Sequence, residues 1–111
     1  MNFCLHGSAR TVQEAVARAK RAEALGFEAI FFADSHMNNV DPYQALAICA
    51  INTQRIRLGT AVTNMVYRDP TILANSFATL NEISDGRAIL GIVVKLIDRR
   101  PEDNVVPVTA P

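Results

Sequence analysis

The sequence predicts an α/β fold of parallel strands alternating with helices, and three observations predict it. Two Asp-Pro pairs, Asp41-Pro42 and Asp69-Pro70, stand 28 residues apart, each ahead of an apolar-periodic segment. Apolar runs begin near Ala29, Ile56 and Ala88 at comparable intervals. Those runs lack the in-out alternation of a strand with one wet face, as strands buried on both faces of a parallel sheet do. One strand and one helix per unit calls for right-handed crossovers, in an open doubly wound sheet or in part of a (β/α)8 barrel. A barrel of roughly 250 residues spends about 31 on each unit. The 111 residues of this chain therefore hold about three and a half units, near half a barrel.

Phe3 to Leu5 is a short apolar run that leads into His6-Gly7. Thr11-Val12-Gln13-Glu14 follows as a T-x-x-E capping box, which supplies acceptors for the free backbone donors of a helix start. Val12, Ala15, Val16, Ala19, Ala22 and Leu25 then recur at three- and four-residue spacing, and Gly26 provides the left-handed stop. Ala29 to Ala33 reads as the second strand, ended by Asp34. After a polar loop, Asp41 offers an N-cap and Pro42 a preset first helical residue, with Tyr43, Leu46, Ala47, Ala50 and Ile51 as the apolar stripe. Ile56 to Val62 is the third strand. Asp69-Pro70 repeats the helix-start chemistry ahead of Ile72, Leu73, Phe77, Leu80 and Ile83, and Asp85-Gly86 closes that helix. Arg87 to Val94 is the last predicted strand, and the remainder, with three prolines and little periodicity, is expected to be irregular.

Half of the residues are apolar and 20% are charged, which excludes a disordered chain. Eleven basic residues balance eleven acidic ones, so no net field draws the chain to nucleic acid or to an anionic membrane. Cys4 and Cys49 lie in apolar runs, outside any metal-ligand spacing, and read as reduced core residues rather than a zinc site or a disulfide. With no basic leader, and no apolar run of the about 18 residues that a membrane helix needs, the expected location is the cytoplasm.

In either architecture ligands bind beyond the carboxyl ends of the strands. The residues there are His6-Gly7, Asp34-Ser35-His36 and Thr63-Asn64. Together they could orient a polar ligand, or they could simply be the polar chemistry of turns, with Asp34 capping one. His6 and His36 could serve as general acid or base groups, although a histidine at a strand end or in a loop also serves as a structural hydrogen-bonding group. Gly59, late in a buried strand, signals a bulge, a close-lying ligand or tight packing. Arg68 beside Asp69 reads as support for the third helix start. The phosphate-cradling and nucleophile-elbow glycine motifs do not occur.

Glu23-Ala24-Leu25-Gly26-Phe27-Glu28, Ala33-Asp34-Ser35, Asp41-Pro42-Tyr43-Gln44-Ala45-Leu46-Ala47, Arg55 to Asn64, Ala78 to Ser84 and Gly86 to Ile92 resemble, in order and spacing, the bacterial luciferase-like superfamily. The strongest likeness is to its deazaflavin-dependent, methylenetetrahydromethanopterin reductase-like branch. The resemblance covers residues 1–92 and leaves 93–111 as a divergent tail. It implies a partial TIM barrel, the first four strands and three helices of a (β/α)8 barrel. It further implies a flavin- or deazaflavin-dependent oxidoreductase of the monooxygenase and reductase kind, holding coenzyme F420 or FMN at the carboxyl-end rim and exchanging hydride with a small-molecule substrate.

Carried over residue by residue, the cofactor-binding positions are Asp34, Gly59, Thr60, Ala61, Val62, Thr63 and Asn64. The end of the third strand would form a bulge, with a non-prolyl cis peptide between Ala61 and Val62, that backs the flat ring. Asp34 would lie near the ring, His36 is the candidate catalytic residue, and no metal is implied. Relatives continue the fourth strand into a glycine-containing loop where this chain reads Ile92-Val93-Val94-Lys95. The later units that complete a barrel are missing, so the chain reads as truncated, with bare strand edges and helix faces that point to a homo-oligomer or an unstable fragment. The alternative from another class is a non-catalytic remnant or assembly protein that keeps half the fold.

Overall fold

The computed structural model describes residues 3–34, 38–64, 68–93 and 105–109. Each crossover helix begins where a side chain takes up backbone donors that the helix itself leaves free. Strand β1 (Cys4–Gly7) leads to helix α1 (Val12–Ala24), where Thr11 Oγ1 accepts the Glu14 N–H at 3.1 Å. The Glu14 carboxylate turns back to the Arg10 N–H at 3.4 Å, one residue earlier than a full capping box would have it. Helix α1 ends at Leu25, and Gly26 takes φ +87°, the left-handed geometry its sequence position predicts. Strand β2 (Ala29–Phe32) follows, then α2 (Pro42–Ile51) and α3 (Pro70–Ile83) after strand β3 (Arg57–Asn64). Asp41 and Asp69 cap these two helices by accepting the N–H groups of Gln44 at 3.1 Å and Thr71 at 2.9 Å. Asp85 (φ 57°) and Gly86 (φ 86°) turn the chain out of α3 into β4 (Ala88–Val93).

The strands lie in sequence order, and β1 to β4 are all parallel. Side chains of one parity, Ile30, Phe32, Leu58 and Leu90, meet the helices in one core with Ala15, Ala19 and Ala22 of α1, Leu46 and Cys49 of α2, and Leu73, Phe77 and Leu80 of α3. Alanine on the buried stripe of α1 brings that helix close to the sheet. Tyr43 and Phe77 meet edge to face, ring centres 5.4 Å apart, and tie α2 to α3. Among the described residues no helix is long and apolar enough to cross a membrane.

Residues of the other parity form a row across the sheet, His6, Phe31, Gly59 and Ile89, on the face away from the helices. In a closed barrel this face is the interior. Here Cys4 and His6 are exposed on it, so Cys4 is not the core thiol that its apolar run suggests. An apolar run tells that a strand has no wet-side pattern; it does not tell whether a cover is present.

The tail departs from expectation. Residues 105–109 form strand β5 (Val105–Thr109), antiparallel to β4, with Val93 opposite Val105 and Ile89 opposite Thr109. Three valines and a threonine favour the extended backbone, and an outermost strand tolerates Pro107, which sits opposite Gly91. The exposed edge of β4 is thereby paired within the chain.

At the amino-terminal end of the sheet, Arg87 explains part of the sequence pattern structurally. Its Nε donates to Ser84 O, Nη1 to Thr53 Oγ1 and Ile56 O, and Nη2 to Ala50 O and Thr53 O, at 2.6 to 3.2 Å. Five donors meet five neutral acceptors, fastening the turns that precede β3 and β4.

Candidate functional site

The carboxyl ends of β1 to β3 gather the residues that the sequence singles out. Asp34 lies two residues beyond the end of β2, and its side chain is only 4% exposed. Its charge is met by Arg68, which reaches from the residues before α3 and donates Nε–H to Oδ2 at 2.9 Å and Nη2–H to Oδ1 at 3.0 Å. Nη2 also donates to Asp41 Oδ1 at 3.1 Å, while Asp41 Oδ2 caps α2. The guanidinium lies over the Tyr43 ring, 4.3 Å from its centre. The paired Asp34 carboxylate, in spite of desolvation, pushes the Arg68 pKa above its already high ordinary value, so this cation is permanent.

Arg68 is the rim residue whose partners sequence reasoning missed. Its neighbour Asp69 caps α3 alone, and Arg68 instead ties the ends of β2, α2 and α3 together. The signal was in the sequence only as two acids, Asp34 and Asp41, with an arginine many residues away. For Asp34 the consequence is chemical: a carboxylate held in a two-pronged pair is a fixed polar group rather than a free base.

Strand β3 leaves register with β4 between Thr60, opposite Leu90, and Thr63, opposite Ile92. Two residues, Ala61 and Val62, thus stand against Gly91 alone, which is a bulge that re-aims the backbone. It brackets the bond at which the resemblance places the bulge. His6 donates from Nε2 to the Ala61 carbonyl at 2.8 Å, which requires the proton on that nitrogen.

The structure separates the seven positions that the resemblance names. A Cβ at Gly59 would stand 2.1 Å from the Ile89 carbonyl oxygen, so strand packing requires glycine here. Thr60 is fully buried on the helix-facing parity and donates Oγ1–H to Gly91 O at 3.2 Å, bracing the bulge from behind. Ala61, half-buried and carrying only a methyl, and the backbone of Val62, Thr63 and Asn64 form the part that reaches the rim. His36 lies outside the described residues. Among those described, no group of three or more His, Cys, Asp or Glu could hold a metal ion. A flat ring fits this ground as far as it is described, since Ala61 carries only a methyl and the Asp34 carboxylate at the same end of the sheet is paired with Arg68.

A cavity of about 400 Å³ lies at the opposite end, lined by Glu23, Gly26, Phe27, Glu28 and Arg55 to Arg57. None of the described rim residues lines it, and it is a groove between turns. There Glu23 accepts the N–H groups of Gln54, Arg55 and Ile56.

Comparison with known proteins gives this geometry its family. The profile of the luciferase-like monooxygenases matches residues 2–97. The chain belongs to that family. The 5,10-methylenetetrahydromethanopterin reductase of Methanolobus tindarius is 51% identical over 74 residues, 67% of this chain and 22% of that protein. The structure of the coenzyme F420-dependent tetrahydromethanopterin reductase of Methanopyrus kandleri superposes with a TM-score of 0.77 at 35% identity, over 82% of this chain and 26% of that one. An F420-dependent secondary alcohol dehydrogenase in complex with an F420–acetone adduct superposes with a TM-score of 0.66 at 25% identity, over 84% of this chain and 30% of that one.

The fold is thus a partial luciferase-like (β/α)8 barrel, and the chain spans about a quarter of the length of these relatives. In luciferase-like terms β1 to β4 are its opening strands. The antiparallel β5 occupies the edge where a (β/α)8 barrel would add a parallel strand.

Proposed function

We propose that this luciferase-like chain is a deazaflavin-binding oxidoreductase unit, which holds the ring of coenzyme F420 against the bulge of β3 and takes part in hydride exchange with a small organic substrate. One observation carries the reading: the register break between Thr60 and Thr63 stands at the carboxyl end of the sheet, where barrel enzymes bind ligands. The names of the relatives favour F420 over FMN. When bound, the coenzyme supplies the hydride chemistry. The chain's own residues bind and orient. Ala61 and the backbone of Val62, Thr63 and Asn64 back the ring, and Asp34, fixed by Arg68, sets the polarity beside it. Gly59 and Thr60 hold the strand that makes this possible, and His36 is the candidate proton carrier. Residues 1–92 carry the barrel portion, and 93–111, beginning with the last residue of β4, are a divergent tail that adds β5 to the same sheet. The working location is the cytoplasm, and the working state a homo-oligomer that covers the open sheet face together with Ile51 and Ile72, 70% and 64% exposed on the helices.

The alternative, a non-catalytic assembly protein, draws support from β5, which blocks the edge at which a barrel would grow. Fluorescence titration with F420 and, separately, FMN decides between them. Saturable binding of F420, tighter than FMN, is expected; a folded protein that binds neither contradicts the proposal and favours the assembly reading.

A further inference from the structure

The carbonyl of Ala61 stands where the sheet can no longer pair it. The β2–β3 ladder ends at Phe32 opposite Thr60, and the β3–β4 ladder passes from Thr60 to Thr63. A carbonyl left without a partner at a bulge is free to swing, and with it the peptide plane that follows. His6 comes from β1, two strands away, across the open face of the sheet. Its Nε2–H meets the Ala61 oxygen at 2.8 Å. His6, Phe31 and Gly59 share one row on that face, and Gly59, two residues before Ala61 on β3, projects no side chain there. His6 is exposed, so its ring is not needed to fill the core.

We infer that His6 is a positioning residue of the cofactor site: by holding the Ala61 carbonyl it fixes the direction of the Val62 and Thr63 backbone on which the flat ring of a deazaflavin rests. The inference rests on the F420 reading above and adds to it a residue outside the carried-over positions. A histidine suits the task because its ring spans a neighbouring strand while ending in a single directed donor. A glutamine at the same position has comparable reach and also ends in an N–H donor; a leucine has similar bulk and no donor.

The test compares wild type, His6→Leu and His6→Gln by two readouts. Amide hydrogen exchange at Val62 and Thr63, measured without cofactor, reports whether the bulge is held. Fluorescence titration with F420 reports whether holding it matters. In His6→Leu both should change, exchange rising and affinity falling each by about fivefold to tenfold, the loss of one hydrogen bond, with the unfolding midpoint little changed. His6→Gln should restore both toward wild type. Unchanged exchange in His6→Leu overturns the inference, and so does faster exchange with unaltered F420 affinity. If wild type itself binds no F420, the cofactor reading falls and the positioning role with it, while the exchange comparison still decides whether His6 holds the strand.

Discussion

Arg68 and Asp34 form a two-pronged ion pair, at 2.9 and 3.0 Å, that joins the end of β2 to the start of α3. Asp34 is 4% exposed and Arg68 28%, so the pair is sheltered on the carboxylate side and reachable on the other. Because Arg68 also holds Asp41 and covers Tyr43, one side chain sets the relative placement of three loops at the rim.

Removing that side chain should therefore cost more than a surface ion pair would. Arg68→Ala takes the two-pronged guanidinium away from a nearly buried carboxylate, a loss of about 3 kcal/mol. Arg68→Lys keeps the charge without the fork and should fall between. Urea unfolding checks this, and a midpoint in Arg68→Ala equal to wild type would show that the pair contributes nothing.

Gly59→Ala should be severely destabilising although it adds one methyl. The new Cβ would meet the Ile89 carbonyl at 2.1 Å, and backbone cannot move aside as a flexible side chain can. Overpacking of this kind costs about 3 kcal/mol, read as a lowered melting temperature. A variant as stable as wild type would mean that the strands separate there without penalty.

Acid should weaken the fold partly through Glu23. Burial opposes its charge, but the N–H groups of Arg55, Ile56 and Gln54, with the Arg55 cation, hold its carboxyl below the ordinary 4.5. A group depressed on folding contributes stability above its unfolded pKa and loses that contribution as pH falls through the folded one. The loss thus falls at and below pH 4.5, and Glu23→Gln should flatten that limb of a plot of urea midpoint against pH. An unaltered limb would remove Glu23 from the account.

The two cysteines should react differently. Burial pushes the Cys49 thiol up to about 12, and Cys4 is exposed on the open sheet face. At about pH 8, with ordinary thiols partly ionised, iodoacetamide should label Cys4 in the folded protein and Cys49 only after unfolding. Equal labelling of both would show that the α2 core opens readily; protection of Cys4 would show that another surface covers the sheet.

The parts legible in the sequence are those decided locally. Asp41-Pro42, Asp69-Pro70 and Thr11 state their helix starts within four residues, and Gly26 and Asp85-Gly86 state the stops. Gly59 could be flagged as unusual, but whether it faced a ligand or a strand depended on the register of β4, which no local pattern gives. The same holds for Arg68, whose partners lie 34 and 27 residues away, and for His6, which acts over 55. Strand β5 was hidden by Pro107, a residue that argues against a central strand and permits an outer one.

The central claim, a deazaflavin ring seated on the β3 bulge, is tested most directly by amide chemical shifts recorded while F420 is added. The account predicts saturable shifts at Asp34 and at Ala61 to Asn64, with Gln54 to Arg57 at the far end of the sheet unmoved. Shifts centred on the cavity around Arg55 and Arg57, or none in the folded protein, would contradict it.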